Sequence, residues 1–149
     1  MKKQFAMIAG HEYQVLSLYP EWAWAIVFAG KDVENRSWRT SYRGTLLIHA
    51  SSRRSSHDAL DNARKLLCER SKLRPKDLPD EFPCSAIIGA VELVDCVEGG
   101  KSAWAEKDSV HWLLRGARPL PRPIPDIAGQ RRVWQWTPTK RQLAASARL

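Results

Sequence analysis

The longest apolar run of the chain extends from Ser85 to Val97 and is interrupted by two carboxylates, Glu92 and Asp95. Its length and its branched aliphatic residues predict a central β-strand, in which Gly89 marks a bend or a bulge. A second apolar run, from Thr45 to Ala50, predicts a strand that is buried on both faces. The chain must therefore fold around a sheet, and neither run approaches the roughly 18 apolar residues of a membrane span.

Shorter segments on both sides of these runs complete the pattern. Strands are predicted over residues 15–18, 31–38, 110–114 and 132–136, and helices over 22–29, opened by residues 19–21, and over about 57–72. Residues 102–107 could form one or two helical turns, and residues 118–125 have proline at every second position, which predicts an extended connector. Five or six strands, two or three flanking helices and no β-α-β rhythm of parallel pairing indicate an α+β fold, built as a small mixed β-barrel.

The length of 149 residues predicts one domain over 1–149, with a core at about 15–136 and a basic, frayed tail at 137–149. Three widely spaced cysteines without a C-x-x-C pair indicate neither a disulfide framework nor a structural zinc site. The apolar stretch at residues 5–9 is too short for a signal peptide. We therefore expect a soluble, cytoplasmic protein that has no membrane partner; nothing in the sequence sets its oligomeric state.

The basic character of the chain is unevenly distributed. The formal net charge is +8, and the segment from Val110 to Leu149 contains eight Lys and Arg residues but only one acidic residue, so this segment accounts for +7. The chain also contains seven Trp residues. A basic, aromatic-rich composition favours a polyanion such as nucleic acid as the partner, although a solvated basic surface over a Trp-rich core would have the same composition.

One region has a more specific pattern. Its residues read Trp22-Ala-x-Ala-Ile, then Gly30-Lys-Asp-Val-Glu-Asn-Arg-x-Trp38, then Tyr42-Arg-Gly-x-Leu-x-Ile-His-Ala-Ser51. This pattern closely resembles the signature of the ASCH domain, a family of the PUA-like superfamily of small β-barrels. Weaker agreement continues to about residue 136. The resemblance implies a barrel with a helix-lined cleft, and in PUA-like relatives that cleft binds RNA.

The strand at residues 31–38 is the predicted wall of this cleft. Strand alternation places Glu34, Arg36 and Trp38 on one side and Lys31 and Asn35 on the other. An arginine can fork onto a phosphate or a base edge, and a tryptophan can stack a base. The alternative is that Glu34 and Arg36 only pair with each other and close the rim of the barrel.

From this reasoning the sequence predicts binding of RNA or single-stranded nucleic acid. The predicted nucleic-acid contacts are Lys31, Arg36, Trp38, Arg43, Arg53, Arg54, Arg131 and Arg132. If the protein is an enzyme, it is expected to be a hydrolase, with Lys31, Glu34 and His49 as the candidate catalytic residues. No cofactor is indicated with certainty.

Two hydrolase alternatives remain open. A ribonuclease would use the same cleft, with a divalent metal as a possible helper and Glu34, Glu92 and Asp95 as the oxygen ligands to test. An amidohydrolase that acts on acylated cytidine is implied by one bacterial branch of the family, which has a lysine at the place of Lys31. That branch has a threonine nucleophile three residues later, where this chain has Glu34, and this departure argues against amide hydrolysis.

Overall fold

Six β-strands form one mixed sheet in the computed structural model, which describes residues 5–147. In chain order the elements are β1 Tyr13–Leu18, α1 Pro20–Phe28, β2 Val33–Arg36, β3 Gly44–Ala50, α2 His57–Arg70, β4 Ala86–Val97, β5 Val110–Ile124, β6 Val133–Trp136 and α3 Lys140–Ala147. A single 3-10 turn, Pro75–Asp77, lies between α2 and β4. The predicted α+β class is confirmed.

The strand order is β2-β5-β4-β3-β1-β6, and the structure shows no hydrogen-bonded ladder that joins the edge strands β2 and β6 within residues 5–147. The sheet is thus not closed into the predicted barrel. It curls instead, since Arg36 on β2 donates a hydrogen bond from Nη2 to the carbonyl oxygen of Ser17 on β1 (3.1 Å). A side chain therefore bridges the two sides of the curl, and the candidate site lies there.

The pair β1 and β3 is parallel, with Leu16 opposite Ile48, whereas the other strand pairs are antiparallel. The sequence reading expected no such β-α-β unit. The connection from β1 to β3 contains α1 and also the edge strand β2, so the order of elements along the chain does not read as a β-α-β unit. Helix α1 packs close to the sheet at Gly89, where an added Cβ would lie 2.8 Å from Val27 and from the carbonyl oxygen of Arg118. The ladder is irregular on both sides of this glycine, as its position in the apolar run predicts.

The proline-rich segment is part of a strand, and not a separate connector. Strand β5 continues from Val110 through the prolines to Ile124. Prolines at every second position all turn their nitrogens to the same side of the strand, so the missing N–H groups need not face β4. The carbonyl oxygen of Pro119 lies on that outer side, where it accepts a hydrogen bond from the backbone N–H of Phe5 (3.0 Å).

Two further segments differ from the sequence reading. Residues 102–107 form turns without a helix. The predicted frayed tail is helical over α3, and Leu143 packs against the core on one face of the sheet; Arg148 lies outside the described residues. Across residues 5–147, no helix combines the length and the apolar character needed to cross a bilayer.

Candidate functional site

A cavity of about 800 Å³ opens at the curl of the sheet. Its walls come from the end of β1, the start of α1, strand β2, the loop after β3, the end of α2 and the loops at 98–109 and 125–132. Six cationic and two acidic side chains line it: Lys31, Arg36, Arg53, Arg70, Arg131 and Arg132, with Glu34 and Glu106. Four aromatic residues complete the wall: Tyr19, Trp22, Trp38 and Trp104. The cavity therefore combines an excess of positive charge with flat apolar surfaces.

The floor of the cavity is a charge triad, formed by Lys31, Glu34 and Arg36. The Lys31 Nζ donates to Glu34 Oε1 at 2.8 Å and to the carbonyl oxygen of Val33 at 2.7 Å. The Arg36 Nε donates to Glu34 Oε2 at 2.9 Å. The Lys31 and Glu34 side chains are only 5% and 10% exposed, and that of Arg36 is 25% exposed. Each carboxylate oxygen thus accepts one charge-assisted hydrogen bond, and the triad has one positive charge in excess.

The position of Lys31 differs from the alternation prediction. Gly30 has a φ of +74°, the left-handed conformation in which a glycine commonly ends a helix, and β2 begins only at Val33. Lys31 therefore precedes the regular strand, and its side chain folds back onto Glu34 instead of pointing to the opposite side. Its ammonium also lies 5.9 Å from the ring centroid of Trp22.

Trp38 is half-buried on the wall, and its ring contacts two other side chains. It meets Trp112 in a T-shaped contact with ring centroids 4.8 Å apart, and the guanidinium of Arg132 lies 4.8 Å from the Trp38 ring centroid. A base that stacks on this face of Trp38 must therefore displace or share the position of Arg132.

Asn35 holds the loop at 98–109 against the cavity. Its Nδ2 donates to the carbonyl oxygen of Trp104 at 2.9 Å, and its Oδ1 accepts from the backbone N–H of Glu106 at 2.9 Å. These bonds bring Trp104 and Glu106 into the wall. Sequence reasoning missed Tyr19, Trp104 and Arg70 as wall residues, because the loops and helix ends that present them are distant from β2 in the chain and carry no local motif.

Three exposed arginines, Arg53, Arg131 and Arg132, surround the mouth of the cavity and are called the rim arginines below. They are predicted contacts that the fold brings together. Two other predicted contacts lie elsewhere: Arg54 is exposed outside the wall, and Arg43, at the start of β3, donates to Asp95 at 3.2 Å. Arg43 is distant from the rim arginines because it precedes β3, and β3 carries the chain toward the cavity, which Ser51 and Arg53 line.

His49 does not line the cavity and is fully buried behind it. Its Nε2 lies 2.7 Å from the carbonyl oxygen of Ile127, which can only accept, so Nε2 carries the proton. Its Nδ1 then accepts from the hydroxyl of Ser17 at 2.9 Å, and that hydroxyl accepts from the indole N–H of Trp134. Burial lowers the pKa of His49 below its ordinary value, an effect that the hydrogen bond to Ile127 opposes. A neutral histidine with both nitrogens engaged is a packed structural group in this geometry.

The three proposed metal ligands are dispersed. Glu34 lies in the cavity floor, Glu92 pairs with Arg118 at 3.2 Å, and Asp95 pairs with Arg43. Within the described part of the chain, no three His, Cys, Asp or Glu side chains are grouped as a metal ion would require.

Comparison with known proteins adds the family context. The model of the ASCH domain matches residues 16–136. Activating signal cointegrator 1 of mouse is 37% identical to the chain, and that of human is 36% identical, each over 84 residues. The match covers 55% of this chain and 14% of each relative, so the chain corresponds to about a seventh of those proteins.

Solved structures of similar fold include two variants of an ASCH protein from Zymomonas mobilis. One has a TM-score of 0.51 and the match covers 93% of this chain and 96% of that protein; the other has a TM-score of 0.50, with 89% and 94% covered. Both are 20% identical to this chain, a level at which the likeness concerns the fold alone.

Proposed function

The chain belongs to the ASCH domain family, and we propose that it binds RNA or single-stranded nucleic acid in the cavity above the charge triad. One observation carries the proposal: six cationic and four aromatic side chains converge on one concave surface that contains only two carboxylates. Nucleic-acid strands need this combination, because their phosphates pair with cations and their bases stack on aromatic rings.

The two parts of the cavity divide these tasks. The rim arginines are exposed and have few carboxylates near them, so they suit phosphates that remain partly hydrated. The aromatic wall and the buried triad lie deeper and suit a base that leaves solvent. Phosphate contacts of this kind supply affinity that falls with salt, whereas contacts to a base supply selectivity.

A pair of double variants tests the location of the binding site. Arg131→Ala/Arg132→Ala removes two exposed charges from the rim, and Arg43→Ala/Arg54→Ala removes two exposed charges from outside the cavity. Both variants lower the net charge by the same amount. The two variants are compared in anisotropy titrations with a labelled single-stranded RNA and the matching single-stranded DNA. The rim variant should bind roughly tenfold more weakly, because an exposed ion pair contributes about 0.2–1 kcal/mol and tenfold corresponds to about 1.4 kcal/mol for the two arginines together.

The control variant should stay within about twofold to threefold of the unmodified protein, because it loses only long-range attraction, which salt screens. Equal losses in the two variants would mean that general charge, and not the cavity, attracts the strand. No binding of either strand at low salt would refute the proposed function.

Hydrolysis by the same cavity stays a prediction. Its test is the same RNA, incubated with and without a divalent metal and separated on a denaturing gel. Fragments that disappear with Lys31→Met would support a nuclease, and release of a free acyl group from acylated cytidine without strand cleavage would support an amidohydrolase. Intact substrates in both assays would leave binding as the activity of the cavity.

A further inference from the structure

The floor of the cavity has unused hydrogen-bond donors. An ammonium group carries three N–H hydrogens and a guanidinium carries five. Lys31 uses two of its three, toward Val33 and Glu34. Arg36 uses two of its five, toward Glu34 and Ser17. In the described part of the chain nothing accepts from the other four hydrogens.

The side-chain acceptors that contact the triad are already engaged, and the second carboxylate of the cavity, that of Glu106, lies exposed on the loop at 98–109. Both oxygens of Glu34 accept charge-assisted hydrogen bonds. The Asn35 side-chain oxygen accepts from Glu106, and the Ser17 hydroxyl accepts from Trp134 while it donates to His49. A ligand group that reaches this floor therefore meets mainly donors, and it is bound best if it offers acceptors.

The floor suits a neutral acceptor better than a phosphate. Glu34 compensates one of its two positive charges, and a phosphate placed against them would also face that carboxylate at short range. The exposed rim arginines offer phosphates a more favourable position. The rings of Trp22, Trp38 and Trp104 beside the floor indicate that the acceptor is carried by a flat ring.

From these contacts we propose that the floor of the cavity selects keto bases, guanine and uracil, over the amino bases adenine and cytosine. This inference rests on the proposed function. A keto oxygen accepts from the free N–H groups of Arg36 and Lys31, and guanine adds its N7 as a second acceptor for the arginine fork. An exocyclic amino group at the same place would direct its own N–H groups at those of Arg36 and Lys31. The donors of the floor would then be left without an acceptor.

The experiment uses single-base strands, so that base stacking within the RNA has no influence. Each fluorescein-labelled strand has eight nucleotides, with one base near the centre and abasic ribose elsewhere, and a fully abasic strand sets the baseline. Inosine is compared with adenosine and uridine with cytidine, because within each pair the keto group replaces the amino group. We expect the keto member of each pair to bind about tenfold more tightly, the low range for a good pair of base contacts.

Arg36→Lys is the diagnostic variant, because it keeps the positive charge and removes the planar fork. Its keto preference should fall to about twofold. Arg39→Lys is the control, since Arg39 contacts Cys96 and Glu98 and does not line the cavity. This control should keep the full preference.

The outcomes separate the two proposals. Four results would each overturn base selection by the floor. They are equal affinities within both pairs, a preference for the amino bases, single-base strands that bind no better than the abasic strand, and a keto preference that remains in Arg36→Lys. An ordinary single-stranded RNA that still binds in those cases keeps the proposed function intact. Loss of all binding, including that of ordinary RNA, counts against the proposed function itself.

Discussion

Glu34→Gln should destabilise the protein, although the substitution preserves the size and shape of the side chain. Glutamine can still accept one hydrogen bond from Lys31, but it no longer compensates the charges of Lys31 and Arg36. Lys31 is the critical group, since its side chain is 5% exposed and the Val33 carbonyl is the only other acceptor of its ammonium among residues 5–147. A buried cation that loses its counter-charge is among the costliest defects in a folded protein.

The magnitude follows from the geometry. Breaking a buried ion pair by removing one partner costs about 3–5 kcal/mol. The triad borders a cavity that opens to solvent, and Arg36 is 25% exposed, so we expect the lower end, about 3 kcal/mol. For a chain of 149 residues this corresponds to a fall in Tm of roughly 6–12 °C.

Urea denaturation followed by circular dichroism measures the free energy of unfolding, with Glu98→Gln as the control. Glu98 also pairs with an arginine, at 3.5 Å, but its side chain is 78% exposed, so its loss should cost under about 1 kcal/mol. The double variant Lys31→Met/Glu34→Gln should recover part of the loss, because it also removes the buried cation. A loss below 1 kcal/mol for Glu34→Gln, or a double variant less stable than Glu34→Gln alone, would refute this account of the triad.

Three further predictions concern the cavity and the group behind it. Gly129→Ala places a Cβ 2.8 Å from the Ser17 hydroxyl oxygen and 2.9 Å from His49 Cε1, and should cost about 1–3 kcal/mol by urea denaturation, whereas Gln130→Ala in the same loop should be neutral. Burial lowers the pKa of His49 in the folded state, so near and below the ordinary histidine pKa of about 6.5 the unfolded chain binds more protons at this residue than the folded chain does. The free energy of unfolding should therefore fall as the pH decreases through 6.5, by at most about 1.4 kcal/mol per pH unit from this group. This slope should diminish in His49→Gln and persist in the exposed control His57→Gln; identical slopes in both variants would contradict the assignment. If the rim arginines contact three phosphates of a single strand, a plot of log binding constant against log salt concentration should have a slope of roughly −2, and a slope near zero would count against phosphate contact.

Local patterns of the chain were sufficient for most of the secondary structure. The apolar runs at 45–50 and 85–97 predicted β3 and β4 almost to the residue, since a buried strand needs a continuous apolar segment and nothing distant changes that need. The motif at residues 30–38 contains the three residues of the triad, although strand alternation placed Lys31 on the opposite side from Glu34. The proline-rich segment was misread because proline excludes one side of a strand from hydrogen bonding, and only the neighbouring strands show which side that is.

By itself, the sequence therefore determined the α+β class, the main strands and the family signature, all of which depend on residue type and short-range spacing. Only the tertiary structure decided which charges meet. It turned Lys31 toward Glu34, placed Trp104 beside Asn35 and separated Arg43 from the rim arginines. It also buried His49 behind the cavity wall. These positions depend on how the sheet curls and where distant loops pack, and the energies that select them come from contacts between residues that are far apart in the chain.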